Sequence, residues 1–165
     1  MNRQITTGIR ASISSETAEH SDQRPVLSVV VPCANEEEVL CETNSRLTAV
    51  LEGISPNFEI VYVDDGSTDS TPDLLREMQI HDERIRVVRF SRNFGHQIAI
   101  TAGLEHTRGD AVVIIDADLQ DPPEVIAEFF QEWLNGHDVA YGVRAEREGE
   151  TAPAGKSNPD HASSA

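Results

Sequence analysis

The sequence predicts an α/β fold, built as a mainly parallel, Rossmann-like sheet between two layers of helices. Five short runs of branched aliphatic residues alternate along the chain with four segments of helical period. Polar residues, many of them acidic, follow each aliphatic run. Parallel neighbouring strands need crossover connections, which the intervening helices supply. Strict alternation of strand and helix therefore favours three layers with the sheet in the middle.

The predicted strands are the aliphatic runs, which are typical of strands buried on both faces. They are VLSVVVP (26–32), FEIVYVDD (58–65), RIRVVRFS (84–91), DAVVIIDAD (110–118) and DVAYGVR (138–144).

The predicted helices lie between these strands, over 36–52, 71–81, 96–107 and 122–135. Asn35 is the predicted N-cap of the first, and Ser70 is that of the second, which has Pro72 in its first turn. Gly109 suits the end of the third helix, and Gly136 that of the fourth.

The two ends of the chain differ in composition from its middle. Residues 1–25 are rich in Ser, Thr and charge without an apolar period, which predicts a disordered leader. Residues 151–165 are small, polar and proline-bearing, which predicts a disordered tail. The folded domain is therefore expected over 26–150, a size suited to one hydrophobic core.

Charge and cysteine content limit the partners and the compartment. The formal net charge is −16, which argues against binding to nucleic acid or to an anionic bilayer, because both are themselves negative. A phosphate ligand would need a cation or well-placed arginines. Two cysteines without a regular framework indicate a reducing compartment. The absence of a run of about 18 apolar residues or of a secretory signal favours a cytoplasmic protein.

Two acidic clusters mark the predicted carboxyl ends of strands, where open parallel sheets bind ligands. Asp64 and Asp65 form the first; they suit either a turn or the hydroxyl and base groups of a nucleotide. Asp116, Asp118 and Gln120 form the second, and their alternate spacing in an extended segment would place three oxygen ligands on one side. Such a set suits Mg²⁺ or Mn²⁺. The segment does not match an EF-hand calcium loop, because the glycine and the terminal glutamate of that loop are missing. The GxGxxG motif of dinucleotide-binding folds is absent from the sequence.

Four blocks carry a resemblance to a known family. They are VVVPCANEEEVL, EIVYVDDGSTDST, RFSRNFGHQIAITAGLEHTRGD and VVIIDADLQDPPEVI, between residues 29 and 126. In their order and spacing, the stretch from Leu27 to Arg144 resembles family 2 glycosyltransferases of the GT-A fold, particularly polyprenyl-phosphate glycosyltransferases such as dolichol-phosphate mannosyltransferase and bactoprenol glucosyltransferase. The resemblance implies transfer of a hexose from UDP-glucose or GDP-mannose to a polyprenyl phosphate, with inversion and with Mg²⁺ or Mn²⁺.

The resemblance also implies roles for individual residues. It implies a nucleotide pocket at Pro32, Asn35 and Glu36, with Asp64 and Asp65 holding base or ribose and Arg92 in the donor-side loop; metal ligands at Asp116, Asp118 and Gln120; and an acceptor-phosphate contact at Arg144. Asp118 and Arg144 are thus the expected catalytic residues.

Members of the family continue well past the YGVR segment, and many add membrane-spanning helices, so we expect a C-terminally truncated catalytic domain. Contact with a membrane would then run through the lipid acceptor or a missing anchor, at the cytoplasmic face in full-length relatives. Two alternatives are a catalytically inactive module that still binds a nucleotide sugar, and a receiver-like signalling domain, which would need a lysine after the last strand.

Overall fold

The computed structural model describes residues 9–11, 25–140 and 142. Its strands are β1 (Ile9–Ala11), β2 (Leu27–Cys33), β3 (Phe58–Asp64), β4 (Ile85–Arg89) and β5 (Ala111–Ile114). Its helices are α1 (Leu40–Ile54), α2 (Thr71–His81), α3 (His96–Glu105) and α4 (Val125–Leu134).

One sheet joins the five strands in the order β1-β5-β2-β3-β4. The pairs β2–β3, β2–β5 and β3–β4 are parallel, whereas β1 pairs antiparallel with β5. The carboxyl ends of β2, β3, β4 and β5 therefore meet at one edge. This confirms the predicted α/β fold with a mainly parallel sheet.

Alternate residues of the strands face two hydrophobic layers. On one face, Leu27, Val29 and Val31 of β2 pack with residues of α1, α2 and α4. On the other, Val30 and Val61 pack with Ala99 of α3. A β-carbon at Gly103 of α3 would lie 2.3 Å from Val30 Cγ1, so only glycine allows this helix to approach the sheet so closely.

The amino end of the sheet buries one carboxylate. Glu59 is 1% exposed and accepts hydrogen bonds from Ser28 Oγ (2.7 Å) and Arg108 Nε (3.0 Å). Gly109 N donates to Ser28 Oγ at 2.8 Å, and a β-carbon at Gly109 would overlap that oxygen. The sequence predicts a helix stop at this glycine, but α3 ends at Glu105; the glycine instead permits close backbone approach to Ser28.

Other local predictions are wrong in instructive ways. The N-cap of α1 is Val39 rather than Asn35, because the Asn35 side chain bonds to the loop after β3. Residues 138–140 and 142 of the predicted fifth strand have no strand conformation, while the outer edge of β5 is paired with β1. That strand, β1, falls inside the predicted leader; residues 1–8 and 12–24 of the leader and the predicted tail lie outside the described residues.

No helix in the described ranges is long and apolar enough to cross a membrane.

Candidate functional site

A cleft of about 380 Å³ opens at the carboxyl edge of the sheet. It lies between the loops that follow β2, β3, β4 and β5, where the parallel topology brings their first residues together. Its lining residues are Pro32, Cys33, Ala34, Glu36, Asp65, Asn93, Gly95, His96, Ala99, Asp116, Ala117 and Asp118.

Asp64, the last residue of β3, lies beneath this cleft rather than in its lining. It is fully buried, and its Oδ1 accepts a hydrogen bond from Ser67 N at 2.9 Å. Its other oxygen, Oδ2, lies 3.2 Å from Arg89 Nε in an ion pair whose geometry is not that of a hydrogen bond. Asp64 therefore holds the turn after β3 and neutralises an arginine of β4.

Asp65 lines the cleft but also joins two loops. Its Oδ1 accepts from Phe94 N at 2.7 Å, and its Oδ2 accepts from Gly95 N at 2.9 Å. Gly66, at φ 71°, lies against the same loop, so closely that a β-carbon would be 2.3 Å from the carbonyl carbon of Arg92. The carboxylate of Asp65 thus fixes the backbone that leads into α3.

The loops after β2 and β3 are also locked to each other. Six hydrogen bonds of 2.8–3.2 Å link residues 35–37 to residues 67–71. Asn35 has the left-handed φ of 59° that asparagine tolerates, and its Oδ1 accepts hydrogen bonds from Thr68. Asn35 is consequently part of this wall and is not a lining residue of the cleft.

The segment from Asp116 to Gln120 is a turn, not the extended run that its alternate spacing predicts. Leu119 has φ 60°, a conformation that is strained for leucine, and Gln120 N donates to Asp118 Oδ1 at 3.0 Å. Asp116 and Asp118 line the cleft, whereas Gln120 is exposed and does not. The expectation of three side chains on one side of a strand is therefore wrong.

The acids of the cleft repel one another. Burial, together with the nearby charges of Asp118, Asp69 and Asp116, raises the pKa of Glu36 above its ordinary value. Burial, with Asp64 close by, likewise raises the pKa of the Cys33 thiol, which therefore stays protonated and is a poor nucleophile. The cleft as a whole favours a cation.

The residues present fit a divalent cation that arrives with further ligands. Among the residues that the structure describes, no group of three or more His, Cys, Asp or Glu side chains could hold a metal ion unaided. Asp116 and Asp118 nevertheless offer hard oxygen ligands at the mouth of the cleft. Mg²⁺ typically takes one or two carboxylates and completes its octahedron with substrate phosphates and water.

Of the predicted site residues, the cleft brings together Pro32, Glu36, Asp65, Asp116 and Asp118. Asn35, Asp64, Arg92 and Gln120 lie outside its lining, and Arg144 lies outside the described residues.

Gly95 and His96 are among the lining residues that were not predicted as site residues. The sequence gives one signal for them, since they follow β4 at the same sheet edge as the acids. The side chain of His96 reaches the cleft, with Nε2 3.6 Å from Asp116 Oδ1.

Comparison with known proteins gives a consistent result. Residues 28–162 match the family model described as glycosyl transferase family 2. An uncharacterized glycosyltransferase of Bacillus subtilis, YkcC, is 52% identical over 124 residues, which cover 75% of this chain and 38% of that protein. The bactoprenol glucosyl transferase of Shigella phage SfX is 40% identical over 122 residues, covering 73% of this chain and 40% of that protein.

A solved structure shares the fold. The mannosyltransferase PcManGT of Pyrobaculum calidifontis, determined in complex with GDP-Man and Mn²⁺, is 29% identical with a TM-score of 0.57, and the match covers 68% of this chain and 33% of that one. The chain spans about 40% of the length of the curated relatives that it matches.

Proposed function

Because the chain belongs to glycosyl transferase family 2, we propose that it forms the donor-binding part of an enzyme that transfers a hexose from a nucleotide diphosphate sugar to a polyprenyl phosphate. The observation that carries the proposal is the cleft, which collects Glu36, Asp65, Asp116 and Asp118 at the carboxyl edge of the sheet. The similarity to the bactoprenol glucosyl transferase of Shigella phage SfX supports the lipid acceptor. The GDP-Man complex of PcManGT supports the donor class.

A divalent cation explains how so acidic a cleft could hold a diphosphate. When bound, Mg²⁺ or Mn²⁺ stabilises the negative charge that develops on the departing diphosphate. Asp116 and Asp118 are its proposed protein ligands. Gln120 is left out of the set, because its side chain is exposed and outside the lining. Mn²⁺ in the PcManGT complex supports this choice of ion.

The donor nucleotide is proposed to lie along the wall formed by Pro32 and Glu36. Pro32 is buried at the end of β2, and its ring offers an apolar surface to a base. The Glu36 carboxylate can accept hydrogen bonds from ribose hydroxyls, which would also reduce its repulsion with the neighbouring acids. Asp64 is left out of the donor site, because it is fully buried and engaged by Ser67 and Arg89.

The acceptor needs little activation from the protein. A phosphate monoester is already ionised at neutral pH, so orientation and charge neutralisation supply most of the rate enhancement. Inversion at the anomeric carbon follows from a single displacement by that phosphate. Arg144, which lies outside the described residues, is the proposed contact for the acceptor phosphate. The reaction would take place at the cytoplasmic face of the membrane that carries the lipid.

The test is a pair of measurements on the purified chain. UDP-glucose and GDP-mannose are each titrated in Mg²⁺, in Mn²⁺ and in chelator, and the chain is then incubated with labelled donor and polyprenyl phosphate. Metal-dependent binding with lipid-linked sugar as product is the expected result. Saturable binding without product indicates the inactive donor-binding module, and equal binding in chelator contradicts the metal site.

A further inference from the structure

His96 differs in the direction of its side chain from His81 and His106, which lie at the C-terminal ends of α2 and α3. His81 and His106 place Nδ1 2.7 Å from the carbonyl oxygens of Glu77 and Ala102, one turn earlier in their own helices. His96 instead lies in the first turn of α3 and points Nε2 across the cleft toward Asp116 Oδ1, 3.6 Å away. Both side chains are about half exposed, at 52% and 49%.

Helix capping does not account for this orientation. The N-cap of α3 is Gly95, and no side chain caps the helix. The first residue of a helix also has no carbonyl one turn earlier within it for an imidazole to bond. The histidine therefore makes its contact outside its own helix, with a carboxylate from the loop after β5.

Asp65 sets the position of His96 through the backbone that precedes the histidine. The carboxylate of Asp65 accepts the N–H groups of Phe94 and Gly95, the two residues that precede the histidine. Gly66 packs directly on the backbone of Arg92 and Asn93, with no space for a β-carbon. The loop from β4 to α3 is thus held at two points, and these contacts fix the backbone directly before His96.

We propose that His96 is a positioning residue for Asp116 and that Asp65 sets its place through the loop at 92–95. The imidazole N–H on Nε2 would hold one oxygen of the Asp116 carboxylate and leave the other directed to the cation. A partner that fixes a ligating carboxylate reduces the freedom lost on metal binding. The inference rests on the proposed function, because it assigns Asp116 as a metal ligand.

The experiment measures Mn²⁺ affinity rather than turnover. Free Mn²⁺ is followed by electron paramagnetic resonance in the presence of UDP and, separately, of GDP. His96→Ala is expected to weaken Mn²⁺ binding about tenfold, the lower end of the effects known for outer-shell partners. His96→Gln, which restores a side-chain N–H, should recover most of that loss. His106→Ala, at the other end of α3, is the matched control and should bind as the wild type does.

A double-mutant cycle tests the part assigned to Asp65. Asp65→Asn removes the charge that holds two N–H groups, and it should raise the amide hydrogen exchange of Phe94 and Gly95 in the metal-free protein. If Asp65 acts through His96, the Asp65→Asn, His96→Ala double variant should bind Mn²⁺ no more weakly than His96→Ala alone. Additive losses would overturn the assigned route, whatever the effect of Asp65→Asn on stability.

The outcomes separate this inference from the function on which it rests. Wild-type affinity in His96→Ala overturns the positioning role and leaves the transferase proposal standing. Failure of His96→Gln to recover affinity also overturns it, since the N–H would then not matter. A wild-type chain that binds no Mn²⁺ with either nucleotide overturns both.

Discussion

Two pairs of aspartates follow buried strands of this sheet, and the structure places them in opposite environments. Asp64 and Asp65, at the end of β3, are 0% and 4% exposed; Asp64 accepts a hydrogen bond from a backbone N–H group of its own turn, and Asp65 accepts two from the loop before α3. Asp116 and Asp118, after β5, lie in a strained turn at the mouth of the cleft, and Asp118 is exposed. The first pair makes hydrogen bonds within the fold, although Asp65 also lines the cleft, and the second pair is the proposed cation site.

Sequence context alone therefore does not distinguish a buried structural acid from an acid that faces an open cleft. A buried carboxylate that accepts several N–H groups stabilises the protein, and its loss leaves those donors unpaired. Acids that face one another across an open cleft repel one another and lower the stability of the fold, an arrangement typical of functional sites. Substitutions in the two regions should therefore differ in their effect on the free energy of unfolding.

Gly66→Ala should have the largest effect, because Gly66 is the contact between the two loops that Asp65 joins. A β-carbon would meet the Arg92 backbone at 2.3 Å, and the residue has φ 71°. We expect a loss of about 3 kcal/mol in urea unfolding. Gly53→Ala in α1, with nothing within 4 Å of the added carbon, is the control and should be stabilising. Equal effects of the two substitutions would contradict the close contact.

Asp64→Asn should come next. The amide oxygen can still accept from Ser67 N, but the charge opposite Arg89 is lost and an NH₂ group can face the guanidinium. A cost of about 2 kcal/mol is expected in the same assay, as for other buried charged hydrogen bonds. Asp73→Asn, in an exposed pair with Arg76, should change stability by less than about 0.5 kcal/mol. A small effect at Asp64 would mean that its burial is not what secures the turn.

Glu36→Gln should change stability in the opposite direction. The raised pKa of Glu36 means that its ionised form is less favourable in the folded than in the unfolded chain. The contribution of Glu36 to the stability of the fold is therefore fully present when the pH is below 4.5, the ordinary pKa of a glutamate. It is lost as the pH rises through the higher pKa of the folded state.

The glutamine variant should accordingly be more stable than wild type near neutral pH, by less than about 1 kcal/mol, and should lose that advantage in acid. Urea midpoints at both pH values test this, with the exposed acid variant Glu83→Gln as control. An advantage that persists in acid would rule out charge as its cause.

Asp118→Ala should alter the free energy of unfolding least, by no more than about 0.5 kcal/mol, because the side chain is exposed. It should nevertheless abolish metal-dependent nucleotide binding and leave the circular dichroism spectrum unchanged. Isothermal titration with UDP or GDP and Mn²⁺ measures the loss. Unchanged affinity would remove Asp118 from the proposed ligands and with it the contrast between the two pairs.

The regular elements were largely predictable from local pattern. The helix predicted over 71–81 begins and ends at the predicted residues. The aliphatic runs around Val30, Val61 and Val113 form strands, because burial on both faces requires continuous apolar sequence. Residues 138–140 and 142 show the limit of the same signal, since they belong to a predicted strand but have no strand conformation.

The site was less predictable, because its contacts join residues far apart in the chain. Asn35 resembles an N-cap locally but bonds to Thr68, and Asp65, which lines the cleft as the sequence predicts, also accepts hydrogen bonds from Phe94 and Gly95. The alternate spacing at 116–120 suggested a strand, and the left-handed Leu119 breaks it. His96 carried no distinguishing local pattern, since its contact with Asp116 exists only after α3 and β5 have packed on the same sheet.

The interlocked loops at 35–37 and 67–71 have a thermodynamic consequence for ligand capture. The six hydrogen bonds between these loops fix the backbone on one side of the cleft before any ligand binds. These loops therefore have little backbone conformational entropy left to lose when a ligand binds. We expect most of that loss to occur instead at the turn around Leu119. In calorimetry, an unfavourable entropy of binding from backbone ordering should then appear with a nucleoside diphosphate, whose phosphates contact that turn, and not with the nucleoside alone.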